Sequence, residues 1–441
     1  MGTCRQECVE GAEKEQILTV RLAPVSFSTI GYWLLMAGVA GATAYSCIAL
    51  YGVFRFLRLR REAAGLSRSE HFAPPASDRF TPPVSILKPL YGAERGLEEN
   101  LQSFCRQNYP SYEILFSVRE EIDEAVPIVR RLEKTFPAVP MRLLVIGQPR
   151  YLNAKVHGLE EMMAAARHEV LVINDSDVRV SPDYLRSVVA PMADPAAGPG
   201  VEPKVGPAAG PKVGREVGMV TCISRGVPGT SFWSLLEALE MSIQFVPGVL
   251  AAWVLDGMKF SLGPTMVIRK RQVQELGGFA RLGDYLADDF LLGQLVAEAG
   301  YRVALAENIP DHMVCNEAMG ASLRHRLRWE RSSRCSRPAG YLGQVFTHSL
   351  PLTLLALACA PAGNALAWTL VGACLSVRAV LAWAVGWQLL RDSVFRKYWW
   401  LLPAQDLLSF AVWCWAFFGR EIVWRGGRFR VLKGGKLEPA A

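Results

Sequence analysis

The sequence predicts an α/β domain with a mostly parallel sheet, carried between transmembrane α-helices at both ends. Of 441 residues, 51% are hydrophobic although 20% are charged. The apolar residues fall into blocks at the two ends of the chain, and between the blocks short apolar runs alternate with segments of helical period. Block separation of this kind belongs to a protein with both a membrane part and a water-soluble part.

After an N-terminal tail (1–22), residues 23–54 contain no Asp, Glu, Lys or Arg, and Tyr32 to Val53 is almost continuously apolar. That exceeds the ~20 residues a helix needs to cross a bilayer. Arg55, Arg58, Arg60 and Arg61 follow, so 23–61 reads as a transmembrane helix with a basic flank and not as a cleaved signal peptide. The same arginines predict a cytoplasmic position for what comes next.

The next domain is expected over 82–335. Val84 to Leu87, Tyr112 to Val118, Met141 to Ile146 and Val170 to Ile173 read as strands, separated by segments long enough for crossover helices. Such alternation implies a parallel sheet covered on both faces. Ser181-Pro182 has the form of a helix start. Residues 193–216, rich in Pro, Gly and Ala and repeating Pro-Lys-Val-Gly at 203 and 211, read as a flexible insertion.

From 340 to 418 three apolar blocks (342–361, 364–388 and 398–418) read as membrane segments, and 419–441 is a basic tail with Arg420, Arg425, Arg428, Arg430 and Lys433. Three full crossings would put that tail outside, so one block is expected to be re-entrant or interfacial.

The net charge of +7 is spread beside apolar segments, where it answers to anionic lipid, so no nucleic acid partner is expected. Ten cysteines without a Cys-x-x-Cys pair or neighbouring His indicate neither a zinc site nor a disulfide framework, and fit a reducing compartment.

Three clusters carry chemistry. Asp175-Ser176-Asp177 follows the strand Val170 to Ile173 directly, at the carboxyl end where open α/β sheets bind ligands. Two carboxylates one residue apart can hold a hard divalent cation and leave positions open for diphosphate oxygens. Asp288-Asp289-Phe290 opens an amphipathic segment; the plain account is compensation of the helix dipole, but one of two adjacent side chains can face a site and accept a hydroxyl proton. Arg324, Arg328 and Arg331 share a helical face beside Trp329, a stripe that calls for an anion, either a diphosphate or the membrane surface.

Leu87-Lys88-Pro89-Leu90, Asn153-Ala154-Lys155, Asp175-Ser176-Asp177, Asp288-Asp289-Phe290 and Arg328-Trp329 occur in the order seen in the ceramide glucosyltransferase family, which is glycosyltransferase family 21 and similar to family 2. Ser336 to Tyr341 looks more like the bacterial branch, which includes hopanoid-associated members. The resemblance covers 82–345 and implies an inverting enzyme of the GT-A fold in a bacterial inner membrane. It would move a hexose or N-acetylhexosamine from a UDP-sugar to a membrane lipid, with Mg²⁺ or Mn²⁺ as cofactor. By the same resemblance Asp289 is the general base. Lys88, Glu120, Lys155, Asp175, Asp177, Arg328 and Trp329 bind the donor, and Asp175 and Asp177 hold the metal. Glu120 stands where the family has Asp, and His325 where it has Gln or Arg. A processive polysaccharide synthase would need more transmembrane helices for a polymer channel, a dinucleotide enzyme would need a Gly-x-Gly-x-x-Gly after the first strand, and a non-catalytic membrane scaffold would lack donor hydrolysis.

Overall fold

The computed structural model describes residues 27–69, 80–193, 216–361 and 363–440. The N-terminal tail and nearly all of the 193–216 insertion lie outside the described residues. Helix α1 (Phe27–Ser69) runs through the expected apolar stretch and on through the basic flank, since Arg and Leu are good helix formers and nothing there breaks it.

Ten strands build the domain: β1 (Val84–Pro89), β2 (Tyr112–Val118), β3 (Met141–Val145), β4 (Val170–Ile173), β5 (Val178–Arg179), β6 (Val217–Thr221), β7 (Arg225–Pro228), β8 (Met266–Arg269), β9 (Arg302–Leu305) and β10 (Asp311–Val314). The four strands expected from the sequence are present, β1 extending two residues further and β3 ending one residue earlier. Helices α2 (Leu97–Cys105), α3 (Ala125–Thr135) and α4 (Ala154–Ala165) make the crossovers between β1, β2, β3 and β4.

The main sheet has the order β3-β2-β1-β4-β8-β6-β9. Four of its pairings are parallel, but β8 runs antiparallel to both β4 and β6. The fold class is therefore α/β with a mixed, mostly parallel sheet. Two consequences position the site. The chain leaves β1 first toward β2 and later returns to β1's other edge with β4, which makes a crevice at the carboxyl ends of β1 and β4. Because β8 is antiparallel, its first residue pairs with the last of β4, Met266 opposite Ile173, so the loop entering β8 passes directly over that crevice. A second sheet, β5-β10-β7, sets His312 opposite Val178, beside Asp177.

Within the expected soluble domain lies α5 (Phe232–Asp256), 25 residues with mean hydropathy 1.5 and long enough to cross a membrane, which the strand-and-helix reading did not single out. Glu237 and Glu240 interrupt its apolar pattern. Both are satisfied by α7 (Met319–Ser336), where His325 Nδ1 lies 2.6 Å from Glu237 and Arg326 2.8 Å from Glu240. Between them α6 (Asp288–Glu298) opens at the Asp pair.

The three C-terminal blocks are unequal. Helix α8 (Ser349–Ala358) has 10 residues, α9 (Ala365–Leu389) has 25, and α10 (Leu402–Ala416) has 15. At 1.5 Å per residue α10 spans about 22 Å, short of a ~30 Å hydrocarbon core. Helices α8 and α9 form a hairpin against α1, its tip fixed where Asn364 donates to the Tyr32 hydroxyl at 2.9 Å near the start of α1. The far end of α9 returns to the domain core, where Leu381, Val385 and Leu389 pack with residues of the main sheet. The tail then folds as β11 (Glu421–Trp424), β12 (Gly427–Val431) and β13 (Leu437–Pro439) against the soluble domain, through Leu437 N to Asp284 O at 2.6 Å and Gly434 N to Cys335 O at 2.9 Å. The basic tail thus packs on the α/β domain, and of the three C-terminal blocks only α9 is long and apolar enough to cross a membrane.

Helix α1 reaches α5 through Gly52, where an added Cβ would stand 2.9 Å from the Leu250 carbonyl oxygen. Small residues let membrane helices approach this closely. Gly52→Val is expected to cost about 1–3 kcal/mol by overpacking, read as a lower Tm in detergent. Gly31→Ala, with nothing within 4 Å of the new carbon, should leave the Tm unlowered.

Candidate active site

Asp175 stands two residues beyond β4, and its place is fixed from below. Asn174 Nδ2 donates to the Tyr184 hydroxyl at 2.7 Å and to the Pro264 carbonyl at 2.6 Å, while Lys88 Nζ donates to the Asp175 backbone carbonyl at 2.6 Å. Lys88 has no exposed surface and sits 3.9 Å from the Phe104 ring centroid. Burial pushes its ammonium down to about 7 against the pull of Asp177 and Asp175. Lys88, expected to bind the donor, is thus buried and spends a hydrogen bond on the backbone of Asp175.

The Asn153-Ala154-Lys155 motif is a capped helix start. Asn153 Oδ1 accepts from Lys155 N at 3.1 Å, capping α4, and Asn153 Nδ2 donates to Tyr285 O at 3.0 Å and to Asp288 Oδ1 at 3.2 Å. Lys155 Nζ then lies 2.7 Å from Asp175 Oδ1 and 3.2 Å from Asp288 Oδ2. Burial opposes its charge, but these carboxylates outweigh it and hold the ammonium above its usual range.

The two members of the Asp pair diverge. Asp288 is buried and engaged with Lys155 and Asn153. Asp289 is half-buried; its Oδ2 accepts from Gly263 N at 2.7 Å and its Oδ1 from Phe290 N at 2.8 Å. Burial, and next the Asp288 carboxylate, push Asp289 up to about 6. Gly263 belongs to the loop before β8. Its would-be Cβ lies 2.6 Å from Asp175 Oδ2 and 3.2 Å from Asp289 Oδ2, so the space between the two carboxylates exists only because the residue is glycine. The Gly-Pro step at 263–264 marked a turn in the sequence, but nothing local said that the turn lay over Asp175.

Asp177 pairs with His312, Nε2 to Oδ2 at 3.3 Å. Burial would raise Asp177, yet His312 and Lys88 hold it at about 2; burial would lower His312, yet Asp177 holds it at about 9. His312 was invisible in the sequence because β10 is a short strand with no motif around it. Asp177 Oδ1 is sealed from solvent and has no hydrogen-bond partner, an orphan atom that a cation would satisfy. Among the described residues no group of three or more His, Cys, Asp or Glu side chains is arranged around one point. Two carboxylates suit a hard cation that completes its shell with ligand oxygens and water, so Asp175 and Asp177 fit Mg²⁺ or Mn²⁺ on those terms.

Helix α7 delivers only part of its arginine stripe to the site. Arg331 donates to the carbonyls of Phe418, at 2.8 Å, and Glu421, and Arg334 to those of Phe417 and Gly419, at 2.7 and 2.5 Å, just past the end of α10. Those cations answer backbone oxygens left open at a helix C-terminus. Arg328 feels Asp175 and Asp177 but makes no hydrogen bond or ion pair with a described residue; burial and then Arg425 lower it to about 10. Trp329 packs on His325, ring centroids 4.7 Å apart, and on Phe245 at 6.2 Å. Glu120 is about half exposed, 3.5 Å from Arg119. A cavity of about 160 Å³ opens beside these residues at the carboxyl ends of β1, β2 and β3, lined by Arg119 and Lys155 from the sheet side and by Trp424 and Arg425 from the tail. Glu120 and Trp329 are not among its lining residues.

The sequence model of glycosyl transferase family 21 matches residues 36–207 and 211–437. Ceramide glucosyltransferase 1 of Caenorhabditis elegans is 27% identical over 229 residues, 52% of this chain and 45% of that protein. Ceramide glucosyltransferase 3 of the same organism is 24% identical over 289 residues, 66% of this chain and 59% of that protein. The chain spans about half the length of these curated relatives. Among solved structures, mannosyltransferase PcManGT from Pyrobaculum calidifontis in complex with GDP-Man and Mn²⁺ aligns with a TM-score of 0.47 at 20% identity, covering 87% of this chain and 99% of that one. S. aureus TarS 1–349 in complex with UDP-GlcNAc aligns with a TM-score of 0.35 at 13% identity, covering 81% and 99%.

Gly263→Ala should drive the Asp175 and Asp289 carboxylates apart. A displacement of about 1 Å in a catalytic site costs on the order of 10²-fold in rate. Turnover should fall by that much while circular dichroism and Tm stay at the wild-type values.

Proposed function

The chain belongs to glycosyl transferase family 21, and on that premise we propose that it transfers a hexose or N-acetylhexosamine from a UDP-sugar to the hydroxyl of a membrane lipid of ceramide or hopanoid type, with inversion. The observation that carries the reading is the glycine-lined space between Asp175 and Asp289, with Lys155 bonded to Asp175 and Arg328 near enough to feel that carboxylate. The strand order around it, open at the carboxyl ends of β1 and β4, is what a GT-A domain needs.

In this reading Lys155 and Arg328 direct their donors at the diphosphate, and Asp175 and Asp177 hold a divalent cation. Bound there, the cation supplies neutralisation of the leaving diphosphate. Asp289, desolvated and raised to about 6, accepts the proton of the acceptor hydroxyl. The hydroxyl oxygen bonds to the anomeric carbon as the bond from that carbon to the diphosphate oxygen breaks on the opposite face, and the electron pair leaves with the nucleotide. One displacement inverts the centre, and no glycosyl-enzyme forms. Asp288 has the structural part of orienting Lys155 and Asn153. A lipid acceptor suits a site flanked by α1, α5 and α9, three helices long and apolar enough to span a bilayer. The arginines after α1 support a cytoplasmic position for the domain, in a bacterial inner membrane.

Purified protein in detergent, incubated with a panel of UDP-sugars and lipid acceptors, should yield a glycolipid identifiable by mass spectrometry; no product from any pair would overturn the reading. Asp289→Asn should lower kcat by ~10² to 10⁴-fold with UDP-sugar affinity nearly unchanged, and Asp288→Asn should be less damaged in turnover. Equal loss of binding and turnover in Asp289→Asn would make that residue a donor ligand instead. EDTA should abolish transfer reversibly, and full activity under chelation would remove the cation from the scheme. A cysteine placed at Asp183 should resist a membrane-impermeant reagent in intact cells; labelling there would reverse the proposed orientation.

A further inference from the structure

The basic tail, read in the sequence only for the side of the membrane its charge favours, reaches the cavity at the ends of β1 to β3 with its β11–β12 hairpin. We propose that this hairpin is the closing wall of the donor pocket and that Arg425, at its tip, binds the diphosphate of the nucleotide-sugar together with Arg328. The inference rests on the donor reading given under Proposed function and extends it to residues far away in sequence.

The turn itself is unusual. Trp424 pairs with Gly427, which leaves Arg425 and Gly426 as a two-residue loop with φ of 48° and 79°. Hairpin turns with both central residues at positive φ favour Gly, Asn or Asp. An arginine in the left-handed region is disfavoured by its Cβ, and residues held there concentrate at ligand sites. Its side chain is also unspent. Arg425 lies 5.7 Å from the Tyr91 ring centroid and 5.3 Å from that of Trp424, but makes no hydrogen bond or ion pair with a described residue. Arg328 is in the same condition, and the two guanidinium groups repel each other across the site. Arg425 and Lys155 line one cavity, and Arg328, outside its lining, is near enough to feel the charge of Arg425; with their donors unused, the two guanidinium groups beside Lys155 form a receptor for a multiply charged anion. Half-exposed Tyr91 and the Trp424 indole provide flat walls beside it for a nucleobase.

The hairpin is not a loose flap. Tyr285 bridges to Lys436, Leu286 N donates to Gly435 O at 3.3 Å, and Ile422, Val431 and Leu437 share a core with Leu286 and Cys335. Its footing is therefore the segment immediately before Asp288 and the helix that carries Arg328.

The test is calorimetric titration of the full chain in detergent with Mg²⁺, using UDP, GDP, uridine and guanosine. Arg425→Ala should weaken the diphosphate that binds wild type by about 10- to 100-fold, as loss of a charged hydrogen bond does, and leave the corresponding nucleoside unchanged. Arg425→Lys should recover part of the loss. Arg425→Gly, which relaxes the turn, should bind as poorly as the alanine variant with a Tm no lower than wild type. Wild-type affinity for the diphosphate in both Arg425→Ala and Arg425→Gly would overturn the inference and leave the donor reading standing. Equal loss for diphosphate and nucleoside would overturn it too, since only the shape of the wall would then matter. A wild-type protein that binds neither UDP nor GDP would bring down both.

Discussion

A single buried ammonium organises the centre of this protein. Lys155 enters from the capped start of α4 and is shared between Asp175 at the end of β4 and Asp288 at the start of α6. Three segments that are distant in sequence are pinned by one charge. Burial alone would strip the proton from such a lysine; the paired carboxylates reverse that balance. The arrangement is costly to break, because without the ammonium two carboxylates would face each other in a poorly solvated space, a loss on the order of 3–5 kcal/mol. It also leaves Asp289 as the member of the Asp pair that is free to face outward.

Much of the rest follows from where β8 runs. A purely parallel sheet would have brought a strand's carboxyl end to that place. The antiparallel strand brings a loop, and in that loop Gly263 supplies a backbone N–H to Asp289 and no side chain to the space beside Asp175. A conformational freedom particular to glycine is not needed at this position; what matters is the missing Cβ.

The sequence disclosed local features well and long-range ones poorly. Strands β1 to β4 were legible because they are short apolar runs between helical crossovers, and the end of β4 located Asp175 and Asp177. Lys88 was legible as a motif but not in its surroundings, because only packing shows that its ammonium is buried against Phe104. His312 and Gly263 depend on pairings across more than 80 residues, and no local pattern places either of them beside the Asp175 loop. Helix α5 was hidden by Glu237 and Glu240, whose partners His325 and Arg326 lie on α7. Arginine spacing on α7 predicted a stripe seeking anions; carbonyl oxygens past the end of α10 had already claimed Arg331 and Arg334.

The tail's seat against Leu286 and Cys335 bears on how the molecule is made. Synthesis runs from the N-terminus, so the strands of the main sheet and the segments that carry Leu286 and Cys335 are all made before residues 421–439. Until those residues emerge, the apolar patch around Leu286 and Cys335 has no cover. Contacts of such high sequence separation form late. The growing chain therefore passes through a state in which the strands of its sheet are made while the cavity beside Lys155 still lacks the wall that Trp424 and Arg425 give it.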